Sequence, residues 1–140
     1  MPVIDVDSIL EVATDFQNED HRLEAELLNC AVDALAALAA HEGSEEDADA
    51  CLDALVRHMG QHFQREDDAM RRTSFPPFPV HQAEHQRELD EVSERVNQFR
   101  RTRDAAALHH YLANDAVQWF TMHLQTMDFI TARWLAASEG

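Results

Sequence analysis

The sequence predicts an all-α protein, an antiparallel up-down four-helix bundle with an N-terminal arm. Three observations carry that reading. Ala, Leu, Glu, Asp, Gln and Arg dominate a chain of 140 residues with only three Gly and four Pro, a composition that favours helix. Apolar residues recur at helical spacing, and strand-like alternation is nowhere sustained. The breaks between periodic segments are few and short, and helices joined by short loops pack most simply as up-down neighbours. At this length one domain, one core and one active centre are expected.

Residues 1–17 read as the arm and 18–140 as the bundle. The first helix is expected from about Asn18 to His41, with Leu23, Leu27, Leu28, Val32, Leu35 and Leu38 at helical spacing and Gly43 as its stop. Ser44 followed by Glu45, Glu46 and Asp47 resembles an N-cap with acidic residues against the positive end of a helix dipole. A second helix should run from there to about Arg72. The stretch Phe75-Pro76-Pro77-Phe78-Pro79 breaks the chain, because proline has no N–H to donate. A third helix follows from about Val80 to Arg101. A turn around Thr102 to Asp104 leads into a fourth that reaches towards Ala137 with an irregularity along it.

A formal net charge of -16 repels nucleic-acid phosphates and anionic lipid, and no Arg cluster stands apart from acidic neighbours to reverse this locally. No nucleic-acid partner is expected. No apolar run reaches the length of a membrane span, and the first residues lack the basic flank and apolar stretch of a signal peptide, so a cytoplasmic location is expected. Cys30 and Cys51 lie in helical patterns without CxxC spacing, which predicts buried, reduced thiols.

His62 and Glu66 are four apart, as are His81 and His85, so each pair lies on one helix face roughly 6 Å apart. With His21 on the first helix, and His123 and Asp128 on the fourth, every helix offers at least one potential metal ligand. His41, His58, His109 and His110 read as solvated or core histidines. A ferritin-like site would need Glu-x-x-His, yet no histidine has Glu or Asp three residues before it. His-Glu-x-x-His is also absent, and no Ser or Cys stands beside a convincing base. An imidazole-rich set with carboxylates suits iron, copper or zinc, and two carboxylates able to bridge suit a pair of irons best.

Taken together, Glu19-Asp20-His21 with Asn29 downstream, His62-Phe63-Gln64-Arg65-Glu66 with Met70, Phe75-Pro76 before His81-Gln82-Ala83-Glu84-His85, and Trp119 before His123-Leu124-Gln125-Thr126-Met127-Asp128 resemble the hemerythrin family, and within it the single-domain bacterial branch. The resemblance spans residues 19–128. It implies that His81, His85 and His123 bind one iron, that His21 and His62 bind the other, and that Glu66 and Asp128 bridge them. Together with an oxo or hydroxo bridge, these ligands fill all but one position of two six-coordinate irons. The resemblance puts the open position on the two-histidine iron, where dioxygen is expected to bind reversibly, within a pocket walled by Phe63, Trp119, Phe120 and Leu124. A di-iron enzyme that reduces peroxide or oxygen, or handles nitric oxide, is the competing expectation.

Two features bear on that choice. The five-residue gap from His123 to Asp128 is not a one-face spacing on a regular α-helix, so a local irregularity or helix end is predicted between them. Glu24 lies three residues after His21, where the family usually carries an apolar Leu. A carboxylate there is close enough to reach the same iron and is expected to bind it or contact it directly.

Overall fold

The computed structural model describes residues 2–139, and among them there is no strand. Four helices form the bundle: α1 (Asp15–Ala39), α2 (Glu45–Arg72), α3 (Phe78–Thr102) and α4, which covers residues 105–139. Helix α1 packs on α2 and α4, α2 on α3, and α3 on α4, the ring of neighbours that up-down connectivity produces. The expected fold is borne out. None of the helices is long and apolar enough to cross a membrane.

Side-chain caps explain where α2 and α4 start. Ser44 accepts a hydrogen bond from the Asp47 amide at 3.2 Å, and Asp104 accepts one from the Ala107 amide at 3.1 Å. Pro79 lies in the first turn of α3 rather than before it, because the missing N–H has no helical partner there in any case. Helix α3 therefore begins two residues earlier than expected. Helix α1 likewise begins at Asp15, which brings Phe16 and Gln17 out of the expected arm and into the bundle.

The helix ends use left-handed residues that are not glycine. His41 has φ 61°, Ser74 φ 56° and Arg103 φ 56°. At the first two, the amide two residues past the cap closes the turn, Glu42 N–H onto the Ala37 carbonyl at 2.7 Å and Phe75 N–H onto that of Met70 at 3.0 Å. Gly43, the expected stop, follows this turn with φ 75°, and a Cβ at that position would meet the Ala37 Cβ at 2.9 Å.

Burial divides the bundle along its length. Apolar side chains fill one end, with Leu28, Val32 and Leu35 from α1, Leu52 and Leu55 from α2, Val92, Val96 and Phe99 from α3, and Leu108 and Leu112 from α4. Towards the other end the buried residues become His21, His62, Glu66, His81, His85, His123 and Asp128. Leu23, expected on the inner face of α1, is instead 44 % exposed, since Ala25, Leu28, Val32 and Leu35 form that face. The arm is tied to α1: the Ile4 amide and carbonyl both bond the Asn29 side chain, and those of Val12 both bond Asn18.

The cysteine expectation is corrected. Cys30 and Cys51 form a disulfide between α1 and α2, with Cα atoms 6.0 Å apart, and Cys30 is exposed while Cys51 is half-buried. The two residues lie on either side of the α1–α2 turn, Cys30 towards the end of α1 and Cys51 near the start of α2, so antiparallel packing sets them side by side. No local spacing motif is needed for that pairing.

Candidate metal centre

Helix α4 is not regularly wound. Leu112–Ala116 and Leu124–Asp128 are π turns within an otherwise α-helical run. The second lies in the gap between His123 and Asp128, so the expected irregularity is borne out. Bonding from i to i+5 widens the helix and brings a residue five positions on back towards the same face. His123 and Asp128 consequently meet, Nε2 to Oδ1 at 3.1 Å.

The structure brings all seven expected side chains together, and the two carboxylates divide their oxygens. Glu66 Oε2 lies 2.9 Å from His62 Nε2 and 3.6 Å from His21 Nε2, while its Oε1 lies 3.0 Å from His85 Nε2. Asp128 Oδ2 lies 3.0 Å from His21 Nε2, while its Oδ1 lies 3.1 Å from the Nε2 atoms of both His81 and His123. One oxygen of each carboxylate thus faces a two-histidine group, and the other faces a three-histidine group.

This donor set fits metal cations better than it fits itself. His85 Nε2 and Glu66 Oε1 are 3.0 Å apart and fully buried, yet they make no hydrogen bond with each other or with any other described group. His81 Nε2 and His123 Nε2 approach to 3.0 Å, a contact in which at least one nitrogen must carry hydrogen unless a cation lies between their lone pairs. Separations near 3 Å are what two adjacent ligands of an octahedral ion have when each bond is about 2.1 Å. The geometry joins Glu66, His81, His85, His123 and Asp128 in one group able to hold a cation, His21, His62 and Glu66 in another, and Glu24, His58 and His62 in a third on the far side of His62.

The electrostatics agree. Burial works against charge on Glu66, but the positive charge of His62, its bond to Oε2 and the close rings of His21 and His85 outweigh it and hold the carboxyl well below the usual range. Asp128 is lowered too, with burial and the Glu66 charge opposing and His123 and His21 prevailing. Burial pulls His21 down, yet its bond to Asp128 and the nearby Glu66 carboxylate raise it to about 9; His85, bonded to Asp67 and close to Glu66, also rises to about 9. His62 is raised well above the ordinary value, whereas burial prevails at His81 and lowers it. Two buried carboxylates require positive charge here, which protons or metal cations can supply.

A second layer fixes the rings, and sequence reasoning missed most of it. Gln17 donates to Glu66 Oε2 at 2.9 Å, His85 Nδ1–H donates to Asp67 Oδ1 at 2.9 Å, and His81 Nδ1 pairs with the Thr131 hydroxyl at 2.9 Å. Gln17 is one turn before His21 and Thr131 is three residues after Asp128, spacings that could have pointed to them.

Glu24 stands on the far side of His62. Its carboxylate is buried, but Oε1 lies 2.9 Å from His62 Nδ1, the ring nitrogen opposite the one facing Glu66. It therefore supports His62 from behind instead of joining the cluster of oxygens and Nε2 atoms. His58, expected to stand outside the set, stacks beside His62 and has its Nε2 on the Asp20 carbonyl at 2.9 Å. Among the four expected pocket residues, Phe63 stacks on His85 at 4.2 Å, Trp119 on His123 at 4.4 Å, and Phe120 meets His21 edge-on at 6.2 Å. Trp119 and Phe120 share with Glu24 the wall of a cavity of about 10 Å³, room for about one water. Leu124 is buried too, but lines a different hollow beside the arm.

Comparison with known proteins agrees with this geometry. No solved structure matches the chain significantly. A bacteriohemerythrin of Ralstonia nicotianae is 32 % identical over 138 residues, covering 97 % of this chain and 91 % of that protein. A bacteriohemerythrin of Aquifex aeolicus is 27 % identical over 127 residues, covering 91 % and 93 %. Residues 12–135 match the family described as Hemerythrin HHE cation binding domain, and the chain therefore belongs to the hemerythrin family.

Proposed function

We propose that this chain is a non-haem di-iron protein that binds dioxygen reversibly, for storage, delivery or sensing in the cytoplasm. His21 and His62 would hold one iron, His81, His85 and His123 the other, with Glu66 and Asp128 shared between them and an oxo or hydroxo group as the third bridge. The observation that carries the reading is the division of both carboxylates between a two-histidine and a three-histidine group. Such an imidazole-rich set with bridging carboxylates suits iron. Similarity to bacteriohemerythrins supports the same choice.

The iron pair, when bound, supplies the electrons that a reversible dioxygen carrier lends and recovers. The protein's own part is to keep each ring fixed and the site dry. Asp67 and Thr131 hold the Nδ1 atoms of His85 and His81, leaving each Nε2 turned inward. Phe63, Trp119 and Phe120 pack against the histidines and exclude water that would deliver protons.

Glu24 favours a second reading. An acidic group stands in the cavity wall on the two-histidine side, where the resemblance implies an apolar residue, and this suits a di-iron enzyme that reduces peroxide or oxygen, or handles nitric oxide. Anaerobic reduction followed by air decides between them, after metal analysis has found about two irons per chain. A stable oxy absorption band supports the carrier. Rapid oxidation without it, together with turnover of peroxide and a reductant, supports the enzyme, and Glu24→Leu should then lengthen the life of the oxy band. One zinc per chain, retained in His81→Ala and His85→Ala, would refute both.

A further inference from the structure

The two halves of the candidate centre are not supported alike. In the three-histidine half, His85 is backed by the Asp67 carboxylate and His81 by the Thr131 hydroxyl. In the two-histidine half, His21 Nδ1 is buried with no hydrogen-bond partner among the described residues, so of its two rings His62 is the one backed by an outer hydrogen bond. His62 lies between two carboxylates, Nε2 to Glu66 Oε2 at 2.9 Å and Nδ1 to Glu24 Oε1 at 2.9 Å.

We propose that Glu24 is the positioning residue of the two-histidine metal position: by accepting the Nδ1–H of His62 it fixes the tautomer and angle of that ring and adds the negative charge that strengthens Nε2 as a ligand. This rests on the seven-residue ligand reading and adds an eighth residue that acts through His62 without touching the ion.

The position of Glu24 argues for that role over simple packing. Its carboxylate is 4 % exposed and lines a cavity whose other walls include Leu28, Leu55, Met59 and Phe120. A carboxylate surrounded by such side chains destabilises the fold unless a strong partner satisfies it, and leucine would suit the wall better. Its side chain bonds the far nitrogen of His62. A charge-assisted bond of this kind is about twice as strong as a neutral one and orients the ring. Stability and metal binding should therefore respond in opposite directions when Glu24 is removed.

The test uses Co(II) as the probe, added to chelated protein and followed by its visible ligand-field bands. The parent is expected to take two equivalents. In Glu24→Leu the second equivalent should bind about 10 to 100-fold more weakly while the first is little changed, the range typical for loss of an outer-layer partner. Urea unfolding of chelated Glu24→Leu should at the same time shift to an equal or higher midpoint, which a merely structural role would not give. Glu24→Gln keeps an oxygen that accepts the Nδ1–H and should recover most of the lost affinity. Should the leucine variant fail to fold, Glu24→Ala takes its place in the same comparison. Parent affinity for both equivalents in the folded apolar variant overturns the proposal, as does loss of stability and both equivalents together. A parent that takes fewer than two equivalents would instead sink the seven-residue reading itself.

Discussion

Replacing Glu88 by glutamine should stabilise the bundle by an amount that grows with pH. Glu88 is 6 % exposed on α3, in the cavity wall that also contains Leu28, Val92, Leu112 and Phe120. The Tyr111 hydroxyl donates to its Oε1 over 3.4 Å, a long bond. Burial pushes the carboxyl from 4.5 up to about 7 despite the attraction of Arg87 and the bond from Tyr111, and the charges of Glu24 and Glu91 push the same way as burial. Between pH 4.5 and about 7 the folded chain therefore keeps a proton that the unfolded chain has released. The stability contributed by this group is complete below the lower value, declines through the window, and is gone above the upper one. At 1.36 kcal/mol per pH unit the full effect is ~3 kcal/mol, and solvent screening at this partly open wall reduces it to about 2 kcal/mol at pH 8. Glutamine keeps the shape and an acceptor for Tyr111 without titrating. Urea unfolding of parent and Glu88→Gln under identical metal loading would give the variant an advantage of about 2 kcal/mol at about pH 8 and under about 1 kcal/mol at about pH 5. The other titrating groups cancel in that difference. An advantage equal at both pH values, or a variant less stable at pH 8, would refute the reasoning.

Other consequences are open to direct measurement. Metal binding at neutral pH should release about three protons per chain, since His21, His62 and His85 are held protonated by their carboxylate neighbours and must give up the Nε2 proton to ligate; calorimetry in buffers of different ionisation enthalpy reads this, and an absence of release would contradict the electrostatics. His58→Gln should leave metal content and spectrum intact, with a stability loss of about 1 kcal/mol from the bond to the Asp20 carbonyl; loss of one metal would make His58 a ligand. Reducing the Cys30–Cys51 disulfide should lower unfolding stability by about 3 kcal/mol, as expected for a loop of this size; alkylation of two free thiols in unreduced protein would show the bond absent. Ser74→Gly should raise stability by about 1 kcal/mol because the left-handed conformation then carries no Cβ strain, as thermal unfolding can check.

Much of the bundle could be read from the chain because its signals are local. The Ser44 cap, the length of α2 and the π turn between His123 and Asp128 follow from short spacings that one helix imposes on itself. The turn shows this most directly. A gap of five between two residues that must face one site is incompatible with an α-helix, and the backbone yields where the side chains cannot. Boundaries were less legible. Helix α1 takes in Asp15, Phe16 and Gln17 because Gln17 finds Glu66 on α2, a partner that no window of sequence reveals.

The same division explains the outer layer and the cysteines. Asp67, Thr131 and Glu24 each meet a histidine on a different helix, so their roles depend on how the bundle rotates each helix about its own axis. From spacing alone Glu24 lies within reach of the same ion as His21; only the position of α2 turns it onto the back of His62. Cys30 and Cys51 become partners by the same cause, since neither residue carries a pairing motif and antiparallel packing alone brings them opposite one another. Spacing within a helix thus marks candidate ligands, while packing between helices decides which groups tune them. An apolar residue at position 24 would leave the spacing of the seven untouched and remove the carboxylate behind His62, so chains with the same ligand pattern can differ in chemistry through residues that this pattern does not include.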